Sequence, residues 1–207
     1  SSSEISKTKV TEGIDIILAI DVSESMLAMD LKPNRIEALK RVASQFIRDR
    51  VSDRIGIVVY SGESYTKVPA TTDKNIVLQS LSEIKHGEIE DGTAIGMGLG
   101  TAINRLKDSK TKSKVIILMT DGVNNTGVID PLSASELAKQ YGIRVYTIGI
   151  GTNGKALSPI AYNPDGSWQY GMVPVEIDEK LLTQIAQTTG GHYFRATDNR
   201  KLVQIYT

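Results

Sequence analysis

The stretch that decides the fold runs Ile14-Asp-Ile-Ile-Leu-Ala-Ile20 and passes directly into Asp21-Val-Ser-Glu-Ser25. Its first part is almost continuously apolar, as a strand covered on both faces should be. Arg54–Tyr60, Lys114–Thr120, Ile143–Ile150 and His192–Ala196 share that character. Helical patterns lie between them. Arg35–Arg50 puts Ile36, Leu39, Val42, Ala43, Phe46 and Ile47 on one face. Asp73 is placed to cap a helix to about Ile84, and Thr93 one to about Leu106. Asp130-Pro131 opens another to about Tyr141, with Gly142 as its stop. Asp178 opens a helix stopped by Gly190-Gly191, and Asp198 a last one. Strand alternating with helix predicts an α/β fold, a doubly wound, mostly parallel sheet with helices on both faces. Tyr65–Val68 follows the second strand too closely for a crossover helix, so it reads as an antiparallel edge strand. Asn163-Pro-Asp-Gly166 is a turn between Ile160–Tyr162 and Trp168–Val175. Residues 157–177 therefore read as a β-hairpin inserted at the sheet's edge.

Composition narrows the function. A chain of 207 residues, 40% hydrophobic and 23% charged, can bury a core and is not a disordered polymer. We read residues 1–11 as a flank and 12–207 as one domain. Twenty-four basic residues balance twenty-four acidic ones, which argues against nucleic-acid or membrane-surface binding by charge. The absence of Cys removes disulfides, thiolate metal sites and cysteine nucleophiles. No apolar run approaches the roughly 20 residues that span a bilayer. Ser1–Ser3 do not look like a signal peptide, and the chain reads as a piece of something longer.

Chemistry concentrates at strand ends. Asp21, Ser23 and Ser25 place oxygens at alternate positions of a turning loop, a set suited to a hard cation such as Mg²⁺. Alone, the motif fits an N-cap and turn cluster equally well. Asp121 follows the Lys114–Thr120 strand in Thr-Asp-Gly, and Thr93 sits in Asp-Gly-Thr before a helix. If the strand order is the common 3-2-1-4-5-6, Asp21 and Asp121 face one crevice at the switch point. Five oxygen-bearing residues there are hard to explain as separate caps. An EF-hand fails, because its sixth and twelfth positions hold Met26 and Lys32. Gly149-Ile-Gly-Thr-Asn-Gly154 imitates a nucleotide loop but lacks the helix that must follow. A metal-dependent hydrolase on a doubly wound sheet is the competing class. Ser23 stands where such a phosphatase needs a second Asp, and no base is evident nearby. His86 and His192 have no histidine partner at helical spacing. Gly96, Gly98 and Gly100 inside a helix point to close packing, or to a helix free to shift. Trp168 reads as a local anchor or a partner contact, and Met26, Leu27 and Met29 as core or as an apolar rim.

These motifs resemble the von Willebrand factor A domain family. Further stretches are similar to the bacterial aerotolerance (Bat) membrane proteins: Glu12-Gly-Ile-Asp-Ile, Asp30-Leu-Lys-Pro-Asn-Arg35, Glu90-Asp-Gly-Thr-Ala-Ile95 and Gly190-Gly-His-Tyr-Phe-Arg-Ala-Thr-Asp198. The resemblance implies a metal-ion-dependent adhesion site at Asp21, Ser23, Ser25, Thr93 and Asp121, holding Mg²⁺ (or Mn²⁺). It implies a non-enzymatic module that binds a partner protein's Asp or Glu. It also implies a bacterial inner-membrane protein with the domain in the periplasm, membrane segments outside this chain, and a link to MoxR-type ATPases.

Overall fold

Ile16, Ile17, Leu18, Ala19 and Ile20 are all completely buried, which requires cover on both faces of the strand that carries them. The computed structural model describes residues 13–196, and supplies that cover. Ile16, Leu18 and Ile20 point to one side, against Leu39, Phe46 and Ile47 of helix α1 (Arg35–Asp49) and Val77 and Leu81 of α2 (Lys74–Ser82). Ile17 and Ala19 point to the other, against α3 (Ile95–Leu106), α4 (Pro131–Gln140) and α5 (Glu179–Thr188).

The central strand β1 (Ile14–Asp21) pairs in parallel with β2 (Arg54–Tyr60) and with β4 (Ser113–Thr120). With β3 (Ser64–Thr71), β5 (Ile143–Gly149) and β8 (Tyr193–Arg195), the sheet order is β3-β2-β1-β4-β5-β8. Only β3 is antiparallel to its neighbour. The doubly wound sheet, its edge strand and its switch point between β1 and β4 are thus as the sequence predicts. β3 runs longer than Tyr65–Val68, because pairing with β2 carries it to Thr71 across a register shift. The helix expected after Asp198 lies outside the described residues.

Two expectations change. Strands β6 (Gly154–Tyr162) and β7 (Trp168–Val175) form the hairpin, but as a two-stranded sheet of their own and not on the edge of the main one. β6 lies instead against the loop after β1, where Met29 N donates to the Leu157 carbonyl at 2.8 Å. Nor does Thr93 cap α3. Ala94 occupies the N-cap position without a side-chain bond, and Asn124 Oδ1 accepts from Ile95 N at 2.9 Å in its place.

The glycines of α3 have a steric reason. A Cβ on Gly98 would lie 2.5 Å from Cδ1 of the buried Tyr60 ring, and one on Gly96 would run into the Ile129 carbonyl. Gly100 meets only ordinary contact, with Ile129 Cδ1 at 3.5 Å. Close packing accounts for the first two positions.

Candidate metal centre

Because β1 and β4 are adjacent and parallel, their C-terminal ends deliver Asp21 and Asp121 to the same end of the sheet. Chain reversal after β1 is tight. Ser23 N donates to Asp21 Oδ1 at 2.8 Å, and a 3-10 turn (Glu24–Leu27) follows. That turn carries Ser25 back beside Ser23, with their hydroxyls 3.1 Å apart. Ser25 Oγ donates to Asp121 Oδ2 at 2.6 Å. Thr120 Oγ1 donates to Asp21 Oδ2 at 2.6 Å, so β4 fixes both carboxylates. Thr93 is buried, and it is held from below by Asn125. Asn125 Oδ1 accepts from Thr93 N at 2.9 Å, and Asn125 N donates to the Thr93 carbonyl at 3.0 Å.

Ser23, Ser25, Thr93 and Asp121 line one cleft of about 360 Å³. Its far wall is the hairpin, through Ser158, Pro159 and residues 173–176. Asp21 is wholly buried and lies beneath this surface. Four of the five expected residues thus share the cleft, and the fifth underlies it. Glu24 and Asp91 stand at the rim, linked by a 3.2 Å bond from Glu24 N to Asp91 Oδ1. Met26 is buried and Leu27 and Met29 half-buried beneath the hairpin, so the apolar-rim reading does not hold for Met26. Trp168 stacks on Tyr162 with ring centroids 4.0 Å apart, the arrangement of a local anchor. His86 Nδ1 donates to the Val22 carbonyl at 2.8 Å.

The electrostatics favour a cation. Burial, reinforced by the neighbouring charge of Asp121, pushes the Asp21 carboxyl up to about 7. Burial also raises Asp121, outweighing the hydrogen bonds from Ser25 and Val123 and the charge of Arg35. Two buried carboxylates that resist ionising together are a site short of positive charge. The Tyr60 hydroxyl is fully buried beside Thr120, and burial together with the charges of both carboxylates raises it well above the usual range. Among the described residues no group of three or more His, Cys, Asp or Glu converges. The set is therefore hydroxyl-rich and all oxygen, which fits a hard divalent cation and excludes a thiolate or histidine site.

Four residues of this neighbourhood escaped the sequence reading as site members: Thr120, Asn125, Asp30 and Arg35. Arg35 carried a signal. A cation in the first turn opposes the helix dipole, so it needs a compensating partner.

A doubly wound sheet with acid and hydroxyl groups gathered at its switch point is an α/β domain of the class whose members bind ligands in that crevice. The chain belongs to the von Willebrand factor type A domain family, whose model matches residues 15–207. It is 31% identical over 199 residues to an uncharacterised protein of Borreliella burgdorferi, an alignment covering 94% of this chain and 58% of that protein. The chain thus spans little more than half the length of the curated relatives it matches. Among solved structures it is similar to an aerotolerance-related membrane protein of Bacteroides fragilis (29% identity, TM-score 0.83, 94% of this chain and 97% of that one). It is equally similar to BatB of Bacteroides thetaiotaomicron (29%, 0.83, 93% and 95%). Among the described residues no helix is long and apolar enough to cross a membrane.

Proposed function

We propose that this domain is a metal-dependent protein-interaction module of a bacterial membrane protein, with Asp21, Ser23, Ser25, Thr93 and Asp121 as its ion-holding residues. The observation that carries this reading is the bridge Ser23 Oγ–Ser25 Oγ–Asp121 Oδ2, drawn from two strand ends into one open cleft. Mg²⁺ or Mn²⁺, when bound there, supplies an electrophilic position that a partner's Asp or Glu can complete. Ser23, Ser25 and Thr93 contribute neutral oxygens, so they leave most of the ion's charge uncompensated. Thr120 and the Ser23 amide hold Asp21 in one orientation, which keeps the loop pre-shaped. Similarity to an aerotolerance-related membrane protein supports a membrane setting; an inner-membrane location facing the periplasm, with a MoxR-type ATPase as system partner, is part of the proposal.

Thermal unfolding with Mg²⁺ or Mn²⁺ against chelator tests the reading. An ion that binds only the folded state adds about 2.7 kcal/mol at 100-fold over its Kd. For a domain of this size that is roughly 5–11 °C. Asp21→Ala is expected to abolish the shift. A shift of the same size in that variant would place the ion elsewhere.

A further inference from the structure

Arg35 has the least obvious reason to be where it is. Its side chain is 2% exposed. Nε and Nη2 donate to Asp30 Oδ1 and Oδ2 at 2.7 and 2.6 Å, a bidentate fork. Asp30 is gripped in turn by Thr152, whose N and Oγ1 lie 2.8 and 3.0 Å from Oδ2. Burial works against the Asp30 charge, but the bonds and charge of Arg35 hold its carboxyl below the usual range. Gly151 closes the remaining side, and a Cβ there would lie 2.6 Å from Arg35 Cζ. The guanidinium therefore cannot swing away. Its free nitrogen, Nη1, reaches Asp121 Oδ2 at 3.2 Å, the same oxygen that accepts from Ser25.

We propose that Arg35 is a fixed counter-charge that keeps cation capture at this site weak until an acidic ligand arrives. This rests on the metal-dependent reading above and deepens it. The Asp30–Arg35 pair is neutral as a whole but oriented, with its positive end toward Asp121 and its negative end behind. Guanidinium stays charged at any working pH, and in a buried setting it is poorly screened. It opposes a cation that shares Asp121 or Ser25, and it favours an incoming carboxylate. Ion and acidic ligand reinforce each other through their own contact, by one reciprocal factor, and Arg35 sets how weak the ion is before that contact forms. A purely structural brace makes the opposite prediction, because loosening Asp121 would weaken the ion.

Titration calorimetry with Mg²⁺, alone and with excess acetyl-Gly-Asp-Gly-amide, reads both quantities. In the unaltered protein the peptide is expected to tighten Mg²⁺ at least fivefold, and a factor of one overturns the proposal. Arg35→Gln is expected to bind Mg²⁺ alone about tenfold more tightly and, once saturated with Mg²⁺, to bind the peptide more weakly than the unaltered protein does. Asp30→Asn with Arg35→Gln removes both charges and leaves no lone buried carboxylate, so it serves if the single variant does not fold. Equal or weaker Mg²⁺ binding in a folded variant overturns the counter-charge. Failure of the unaltered protein to bind Mg²⁺ at all would instead sink the metal reading, and this inference with it.

Discussion

Replacing Gly98 with Ala pits two known effects against each other, and the structure decides the sign. Ala is the better helix former by up to about 1 kcal/mol. Against that, the new methyl would sit 2.5 Å from Cδ1 and 2.7 Å from Cγ of Tyr60. That ring is fully buried and stands in the face of the sheet that α3 covers, so it has nowhere to go. Overpacking of this kind costs about 1–3 kcal/mol. With the full helix gain subtracted, the net expectation is a loss of up to about 2 kcal/mol, or up to roughly 8 °C in Tm for this size. Gly96→Ala should lose more, since its methyl meets backbone at Ile129 and not a side chain. Gly100→Ala, with its nearest neighbour at 3.5 Å, should gain up to about 1 kcal/mol. Urea and thermal unfolding of the three variants give the ranking directly. If Gly98→Ala proved as stable as Gly100→Ala, helix α3 would be free to lift from Tyr60, and the close-packing argument would fail.

Three further outcomes are expected. With chelator present, the raised Asp21 carboxyl binds a proton in the folded state that the unfolded chain has lost. Its stabilising contribution is complete below about pH 4 and vanishes as pH rises through about 7, so Tm should fall over that window. Asp21→Asn should flatten the profile, and an unchanged slope would refute the assignment. Mg²⁺ affinity, measured by calorimetry, should weaken below pH 7 by up to about tenfold per unit for each proton displaced. Asn124→Ala removes the acceptor for Ile95 N and should cost about 1 kcal/mol in urea unfolding, a loss that Thr93→Ala would not reproduce through capping.

The parallel strands were legible because burial on both faces leaves an unmistakable apolar run, as at Ile16–Ile20. Asp21, Ser23, Ser25 and Asp121 were legible because they directly follow such runs, and strand adjacency at a switch point does the rest. Thr93 was found for the right neighbourhood and the wrong local reason. Its Asp-Gly-Thr setting imitates a cap, whereas the cap comes from Asn124, 29 residues beyond the Ile95 amide that it accepts from. Partnerships across such separations leave no local trace. The same holds for Arg35, whose bond to Asp121 joins residues 86 positions apart. The hairpin's turn was plain in Asn163–Gly166, but its place over the β1 loop depends on the Met29–Leu157 bond, which no periodicity encodes.

That placement gives the cleft a shape with consequences for what can dock. A strand pair forms one wall and the Asp91–Thr93 loop the other, so the cleft is open between two unlike walls. About 360 Å³ matches the lower range of pockets for single small ligands. Under the proposed function, a cleft of that capacity suits one acidic side chain with its immediate neighbours, offered on a slender loop or a loose tail. Ser25 is exposed within the cleft, so under the proposed function a carboxylate on such a projection meets that hydroxyl without any opening of the walls.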